Sequence, residues 1–129
     1  MKEKIAKLQA VKLLFVEDEE NLVDIISDTF KKLQLDFTTA NNGAKALEVL
    51  QNDGSFDLVV TDINMPVMNG LEFIKESQKL GLDLQYIIMS AHTEPEYIKS
   101  AEQLGVTNYL VKPFDFIKFL DIVSTMEFK

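Results

Sequence analysis

The chain has 129 residues, which fits one domain with a single sizeable core. Its formal charge of −8 argues against direct nucleic-acid binding, because affinity for phosphate backbones comes from Lys and Arg. The sequence contains no cysteine, which excludes disulfides and thiolate chemistry and agrees with a cytoplasmic location. No apolar stretch approaches the roughly 20 residues of a membrane span and no signal-peptide pattern is visible, so we expect no membrane partner.

The first ten residues form a short amphipathic stretch in which Ile5 and Leu8 lie among Lys and Glu. We interpret 1–10 as an N-terminal leader or linker and 11–129 as the folded domain. The pattern leaves open whether 1–10 is a frayed leader, a first helical turn or the tail of an upstream segment.

Five apolar runs predict β-strands, at residues 12–16, 35–39, 57–61, 85–89 and 106–111. The first, third and fourth runs are almost continuously apolar, as expected for parallel strands that are covered on both faces. The run at 35–39 alternates between apolar and polar residues, which favours an edge strand. Because helical patterns lie between the strands, we predict an α/β fold: a doubly wound, five-stranded parallel sheet of order 2-1-3-4-5 with five helices, flavodoxin-like in topology.

The predicted helices carry signals at their ends. Asn69 and Thr93 each precede a helical pattern and have a Glu three residues later, which is typical of a capping box. Gly81 and Gly105 stand where helices should stop. The last helix is predicted at about 114–126, with one apolar face that we interpret as core packing; a partner-binding surface is the alternative.

Chemically active side chains follow four of the predicted strands. Glu17 and Asp18 follow the first strand, Asp62 the third, Ser90 the fourth and Lys112 the fifth. Because the carboxyl ends of parallel strands line one crevice, we expect these side chains to lie together. Three carboxylates, a hydroxyl and an ammonium form a suitable site for a divalent cation and a phosphoryl group.

Asp62 is the candidate nucleophile of this site, since a carboxylate can form an acyl phosphate. Repulsion among the carboxylates of Glu17, Asp18 and Asp62 favours protonation of one of them unless a cation is present, and Mg²⁺ prefers such oxygen ligands. The ammonium of Lys112 would neutralise the phosphoryl oxygens, and the Ser90 hydroxyl could hydrogen-bond one of them.

Other classes of site fit the sequence less well. The single histidine, His92, is interpreted as an exposed loop residue, and a transition-metal cluster lacks further His or Cys ligands. A flavin-binding protein would need a phosphate loop after the first strand, where 17–20 is wholly acidic. A haloacid-dehalogenase-type phosphatase would place its nucleophile after the first strand and a second acid two residues later, whereas here Asn64 follows the candidate Asp62.

Together these residues resemble the receiver domain of bacterial two-component response regulators, the family that includes the chemotaxis response regulator. The resemblance covers about 12–127 and rests on a set of motifs in order. The set is Glu17-Asp18, the string from Asp62 to Gly70 (DINMPVMNG), Ser90-Ala91, Tyr109 and Lys112-Pro113-Phe114. Glu17 replaces the more usual Asp and Ser90 the more frequent Thr, and both replacements keep the required chemistry.

The resemblance implies a role for each matching residue. Asp62 would accept a phosphoryl group from a phosphohistidine, and Lys112 would pair with that group from beside a cis peptide bond to Pro113. The cofactor would be Mg²⁺, bound by Asp18 and Asp62 directly, by Glu17 largely through water and by the backbone carbonyl of Asn64. Ser90 and Tyr109 would form the pair that switches a protein-interaction surface on phosphorylation.

The resemblance also implies partners. A sensor histidine kinase or a histidine phosphotransfer protein would supply the phosphoryl group, and a downstream protein or an attached effector domain would receive the signal. Such a domain assists its own phosphorylation and dephosphorylation and is not a dedicated turnover enzyme. A degenerate receiver that serves only as an interaction module is the remaining alternative, and the complete motif set disfavours it.

Overall fold

The computed structural model describes residues 1–90 and 95–128. Five strands form one parallel sheet in the order β2-β1-β3-β4-β5, which confirms the predicted order. The strands are β1 (Lys12–Val16), β2 (Asp36–Ala40), β3 (Leu58–Asp62), β4 (Gln85–Ser90) and β5 (Tyr109–Val111). The helices of the described residues are α1 (Lys2–Gln9), α2 (Glu20–Lys32), α3 (Gly43–Asn52), α4 (Gly70–Gln78), α5 (Pro95–Gln103) and α6 (Phe116–Thr125).

The helices cover both faces of the sheet, as expected for a doubly wound fold. Alternate residues of each strand point to opposite faces, so Leu13 and Phe15 of β1 pack with α1, α2 and α6, whereas Leu14 and Val16 pack with α3, α4 and α5. Both faces of β1, β3 and β4 are therefore buried, which explains their continuously apolar sequences. No helix in the described part of the chain is long and apolar enough to cross a membrane.

The first helix is an addition to the five that the sequence predicts. Helix α1 packs against α6, and its Leu8 is 1% exposed. The ammonium of Lys7 donates to the backbone carbonyls of Ser124, at 3.0 Å, and Met126 at the end of α6. These partners lie more than 110 residues away along the chain, so no local sequence signal could reveal them.

Several element ends differ from the sequence prediction by a few residues. Strand β5 begins at Tyr109 rather than at 106, because Val106 donates its N–H to the carbonyl of Ala101 and closes the end of α5. Helix α6 begins after Asp115, whose carboxylate accepts the N–H groups of Ile117 and Lys118 at 3.0 and 3.1 Å.

The structure confirms the predicted helix-end signals that fall within the described residues. The capping box at Asn69 is present, and Gly81 and Gly105 have positive φ angles of 71° and 82° where helices end. The predicted cap at Thr93 lies outside the described residues.

Candidate functional site

The site lies at the carboxyl edge of the sheet, where β1, β3 and β5 end. Glu17 directly follows β1 and is 1% exposed. Its backbone N–H continues the sheet by donating to the carbonyl of Ala40 at 3.1 Å. Its Oε2 accepts the N–H of Asp18 at 3.0 Å. Asp18 itself is exposed, so the pair places one carboxylate inside the crevice and one at its rim.

Asp62 is the last residue of β3 and is 6% exposed. Its Oδ1 accepts the N–H of Ile63 at 2.8 Å, which fixes the orientation of the carboxylate. The chain turns sharply here, and Gly70 at the start of α4 donates its N–H to the carbonyl of Ile63 at 2.8 Å. A Cβ atom on Gly70 would lie 2.0 Å from the carbonyl oxygen of Asp62, so the absence of a side chain at Gly70 allows this close approach.

Lys112 joins the two buried carboxylates. It follows β5, and its Nζ lies 2.8 Å from Oε1 of Glu17 and 2.8 Å from Oδ2 of Asp62. Burial lowers the pKa of Lys112, but its hydrogen bonds to Asp62 and Glu17 and their negative charges raise it by more, so the net shift is upward. The lysine is therefore a fixed positive charge within the crevice.

The loop after β5 has a defined geometry. The peptide bond between Lys112 and Pro113, which the resemblance identifies as the candidate cis bond, is cis. The next residue, Phe114, packs edge-on against Phe15 with ring centroids 6.1 Å apart, and it also contacts Phe30 and Phe119. The aromatic cluster of that face of the sheet thus anchors the turn from which Lys112 reaches the crevice.

The electrostatics of Glu17 reflect its burial, to which a nearby like charge adds. Burial raises the pKa of Glu17, the negative charge of Asp62 raises it further, and the ammonium of Lys112 lowers it, giving a net increase from 4.5 to about 7. Near neutral pH the carboxylate is therefore only partly ionised. A cation in the crevice would favour the ionised form.

The carboxylates of Glu17, Asp18 and Asp62 have the arrangement of a cation site. One oxygen from each residue lies within 4.8 Å of the others. Oxygen ligands from a few carboxylates, completed by water or a phosphoryl group, are what Mg²⁺ requires. The donor set therefore fits the magnesium ion that the sequence predicts.

The remaining predicted residues lie around this cluster. Ser90 ends β4, the strand beside β3, and Met89 pairs with Asp62 in the sheet. Tyr109 begins β5, and its hydroxyl donates to the carbonyls of Ile98 and Val106, both at 3.2 Å. Ser90 and Tyr109 line one narrow gap between the sheet and α5. His92 lies outside the described residues.

Asn64 and Tyr97 are linked in a way that the sequence does not reveal. Asn64 lies in the loop after Asp62 and is exposed. The hydroxyl of Tyr97 donates to its Oδ1 at 3.5 Å, and the Tyr97 ring lines the same gap as Ser90 and Tyr109. In sequence, Tyr97 belongs only to the apolar pattern of α5, which predicts core packing.

Comparisons with known proteins agree with this geometry. A sequence model of the response regulator receiver domain matches residues 13–124. The two-component response regulator ARR12 of Arabidopsis thaliana is 36% identical over 104 residues, which are 80% of this chain and 17% of ARR12. The chain thus spans less than a fifth of the length of that relative.

Solved structures are similar as well. Chemotaxis protein CheY4 of Vibrio cholerae is 31% identical, with a TM-score of 0.79 over 88% of this chain and 98% of CheY4. Response regulator TrrA of Thermotoga maritima, solved in complex with Mg²⁺ and a beryllium fluoride, is 30% identical, with a TM-score of 0.76 over 88% of this chain and 96% of TrrA.

Proposed function

Because this chain belongs to the family of response regulator receiver domains, we propose that it accepts a phosphoryl group on Asp62 from a phosphohistidine of a partner protein. The observation that carries the proposal is the position of Lys112, whose Nζ lies 2.8 Å from the Asp62 carboxylate beside a three-carboxylate cluster. A fixed nucleophile, a fixed ammonium and a cation site are what phosphoryl transfer asks of a protein.

In the proposed reaction, a carboxylate oxygen of Asp62 attacks the phosphorus of the donor. The P–N bond breaks, its electron pair stays on the imidazole nitrogen, which takes up a proton, and an acyl phosphate forms on Asp62. Lys112 moves from the Asp62 carboxylate toward the phosphoryl oxygens, while the N–H of Ile63, 2.8 Å from Oδ1, keeps the carboxylate oriented.

The cofactor of the proposed reaction is Mg²⁺. Asp18 and Asp62 would hold it directly, Glu17 largely through water and Asn64 through its backbone carbonyl. When bound, the ion would neutralise the charge that accumulates on the phosphoryl oxygens. The beryllium fluoride complex of TrrA supports this assignment, since it contains Mg²⁺ and a small fluoride group together.

The proposed partners are a sensor histidine kinase or histidine phosphotransfer protein as donor, and a downstream protein or attached effector domain as receiver of the signal. The formal charge of −8 disfavours direct nucleic-acid binding by this domain, and the lack of cysteine supports a cytoplasmic location. We propose 11–129 as the receiver unit. The domain would assist its own phosphorylation and dephosphorylation and would not be a dedicated turnover enzyme.

Acetyl phosphate, a small-molecule phosphodonor, tests the proposal directly. With Mg²⁺ present we expect one added phosphoryl group that hydroxylamine removes, and we expect Asp62→Asn to abolish it. Asp36→Asn is the matched control, because Asp36 is exposed and is the first residue of β2, whereas the site lies where the strands end. A stable phosphate on Ser or Thr, seen by mass spectrometry of the wild-type protein, would contradict the mechanism.

Two further variants separate metal binding from phosphoryl binding. Asp18→Ala should lose most of the Mg²⁺ affinity, because it removes a direct ligand. Lys112→Ala should still bind Mg²⁺ but respond poorly to phosphorylation, because only the ammonium is lost. Isothermal calorimetry with Mg²⁺, then with beryllofluoride, measures both effects. Undiminished Mg²⁺ binding by Asp18→Ala would show that the metal lies elsewhere.

A further inference from the structure

Tyr97 connects helix α5 to the loop that follows Asp62. It is the third residue of α5 and is half-buried, with its ring beside Ile63 in the narrow gap described above. Its hydroxyl donates to Oδ1 of Asn64 at 3.5 Å, the outer limit of a hydrogen bond. A contact of this length has room to shorten when the loop changes shape.

Asn64 is well placed to transmit such a change. The preceding residue, Ile63, is fixed on both sides: its N–H donates to Asp62 and its carbonyl accepts from Gly70, both at 2.8 Å. Asn64 is the next residue of the loop and is exposed. We therefore expect a shift in the backbone of Asn64 to move the Asn64 side chain more than it moves Ile63.

We propose that the hydroxyl of Tyr97 is a positioning contact through which metal occupancy of the Glu17, Asp18 and Asp62 cluster reaches helix α5. The inference rests on the proposed function, in which the Asn64 carbonyl is a metal ligand. A cation that fixes this carbonyl restrains Asn64 and draws its side chain into a closer hydrogen bond with Tyr97. Helix α5 then senses the ion through a contact that involves neither Ser90 nor Tyr109.

Thermodynamic linkage makes this coupling measurable from the metal side. If the ion strengthens the bond between Tyr97 and Asn64, the bond must strengthen ion binding by the same factor. Loss of one neutral hydrogen bond corresponds to roughly a two- to ten-fold change in an equilibrium constant. We therefore expect Tyr97→Phe, which removes only the hydroxyl, to weaken Mg²⁺ binding by about that factor.

The experiment is an Mg²⁺ titration followed by NMR, without a phosphodonor or beryllofluoride. In the wild type, Mg²⁺ should shift the amide signals of α5 and the ring signals of Tyr97. Tyr97→Phe should lose most of the α5 shifts and show the weaker affinity. Tyr86→Phe is the matched control, because it removes a phenol hydroxyl that is hydrogen-bonded to Ser77 rather than to Asn64.

A double-mutant cycle keeps the test specific to the proposed contact. Asn64→Ala removes the other partner and retains the backbone carbonyl, so adding Tyr97→Phe to it should cause no further loss of Mg²⁺ affinity. Equal and additive losses from the two changes would overturn the coupling, as would full α5 shifts in Tyr97→Phe. If the wild-type protein binds no Mg²⁺, both the proposed metal site and this inference are wrong. If it binds Mg²⁺ and the α5 amide signals do not shift, only this inference is wrong.

Discussion

Lys112 holds one ammonium between the buried carboxylates of Glu17 and Asp62, 2.8 Å from each. With Asp18 at the rim, the described residues place three carboxylates against one ammonium. Burial is the main cause of the upward shift in the pKa of Glu17, and the negative charge of Asp62 adds to it. The crevice is thus arranged to gain stability when a cation binds.

The raised pKa of Glu17 predicts a specific dependence of stability on pH. Between pH 4.5, the ordinary value, and about 7, Glu17 is ionised in the unfolded chain but protonated in the native protein. The native state binds the extra proton, so this contribution to stability is full at low pH and is lost as the pH rises through about 7. Glu17→Gln keeps a neutral side chain and should abolish that loss.

Urea denaturation without divalent ions measures the effect. At pH 8, we expect Glu17→Gln to be more stable than the wild type by about 2 kcal/mol, with little difference near pH 4. Glu48→Gln, at an exposed position of α3, should show no such pattern. If the difference between Glu17→Gln and wild type is the same at both pH values, ionisation of Glu17 is not its cause.

Gly70 predicts a steric effect on Asp62. An added Cβ would lie 2.0 Å from the carbonyl oxygen of Asp62, and backbone atoms cannot yield as a flexible side chain can. We expect Gly70→Ala to reduce the free energy of unfolding by about 3 kcal/mol and to slow phosphorylation of Asp62.

Gly54→Ala is the control for this prediction. Its added Cβ would meet only the Cδ2 atom of Leu82, at 3.1 Å, so the neighbour can move. A loss of less than about 1 kcal/mol is expected there. Equal losses in the two variants, measured by chemical denaturation, would show that the approach to Asp62 is not the cause.

The sequence predicts the members of the crevice because each directly follows an apolar strand. Glu17, Asp62 and Lys112 lie together in the structure for that reason. The bond between Tyr97 and Asn64 could not be predicted, because the two residues are 33 positions apart and the pattern around Tyr97 indicates only a buried helix face.

Helix α1 is a whole element that the sequence could not predict, because its stabilising contacts are also distant in sequence. Eight residues form too short a helix to be stable alone in water, so 1–10 carries no decisive signal of its own. Its stability comes from α6 and from the end of α2, where Gln9 donates to the carbonyl of Leu33 at 2.8 Å. The edge position of β2, by contrast, could be predicted because its alternating pattern is visible within the strand itself.

Leu8 provides a test of whether α1 belongs to the folded unit. Its side chain is 1% exposed and packs in the core with Val11 and Met126. We expect Leu8→Ala to reduce the free energy of unfolding by about 3 kcal/mol, as for other buried leucines. Lys4→Ala, which breaks an exposed ion pair with Asp121, should cost less than about 1 kcal/mol.

A cooperative loss in thermal or urea unfolding of Leu8→Ala would show that α1 unfolds together with the proposed receiver unit 11–129. An unchanged unfolding curve would show that α1 contributes nothing to the stability of that unit.

At the scale of the whole molecule, the gap lined by Ser90 and Tyr109 lies between the sheet and α5, and β5 leads from Tyr109 directly to Lys112. A phosphoryl group on Asp62 would draw the Ser90 hydroxyl inward and open space for the Tyr109 ring. A hydrogen bond to a charged group, worth about 1.5 to 3 kcal/mol, can bias such an equilibrium.

NMR shift mapping of the beryllofluoride complex tests this switch. In the wild type, changes should reach Tyr109, α5 and α6, whereas Ser90→Ala should confine them largely to the crevice because the hydroxyl is missing. Ser100→Ala, an exposed hydroxyl on α5, is the matched control and should behave as the wild type. Distant changes that persist in full in Ser90→Ala would refute the coupling.

The contact of Lys7 with the carbonyls of Ser124 and Met126 also brings α1 close to the end of α6. A short Gly-Ser linker could therefore connect the end of α6 to α1, and new termini could be opened in the exposed turn at Gly81. Such a circular permutant should fold to the same sheet and retain its cation site. The edge of the sheet that carries Asp62 would then stay unobstructed while a reporter protein is fused at the new termini, so the permutant could serve to follow the proposed phosphorylation.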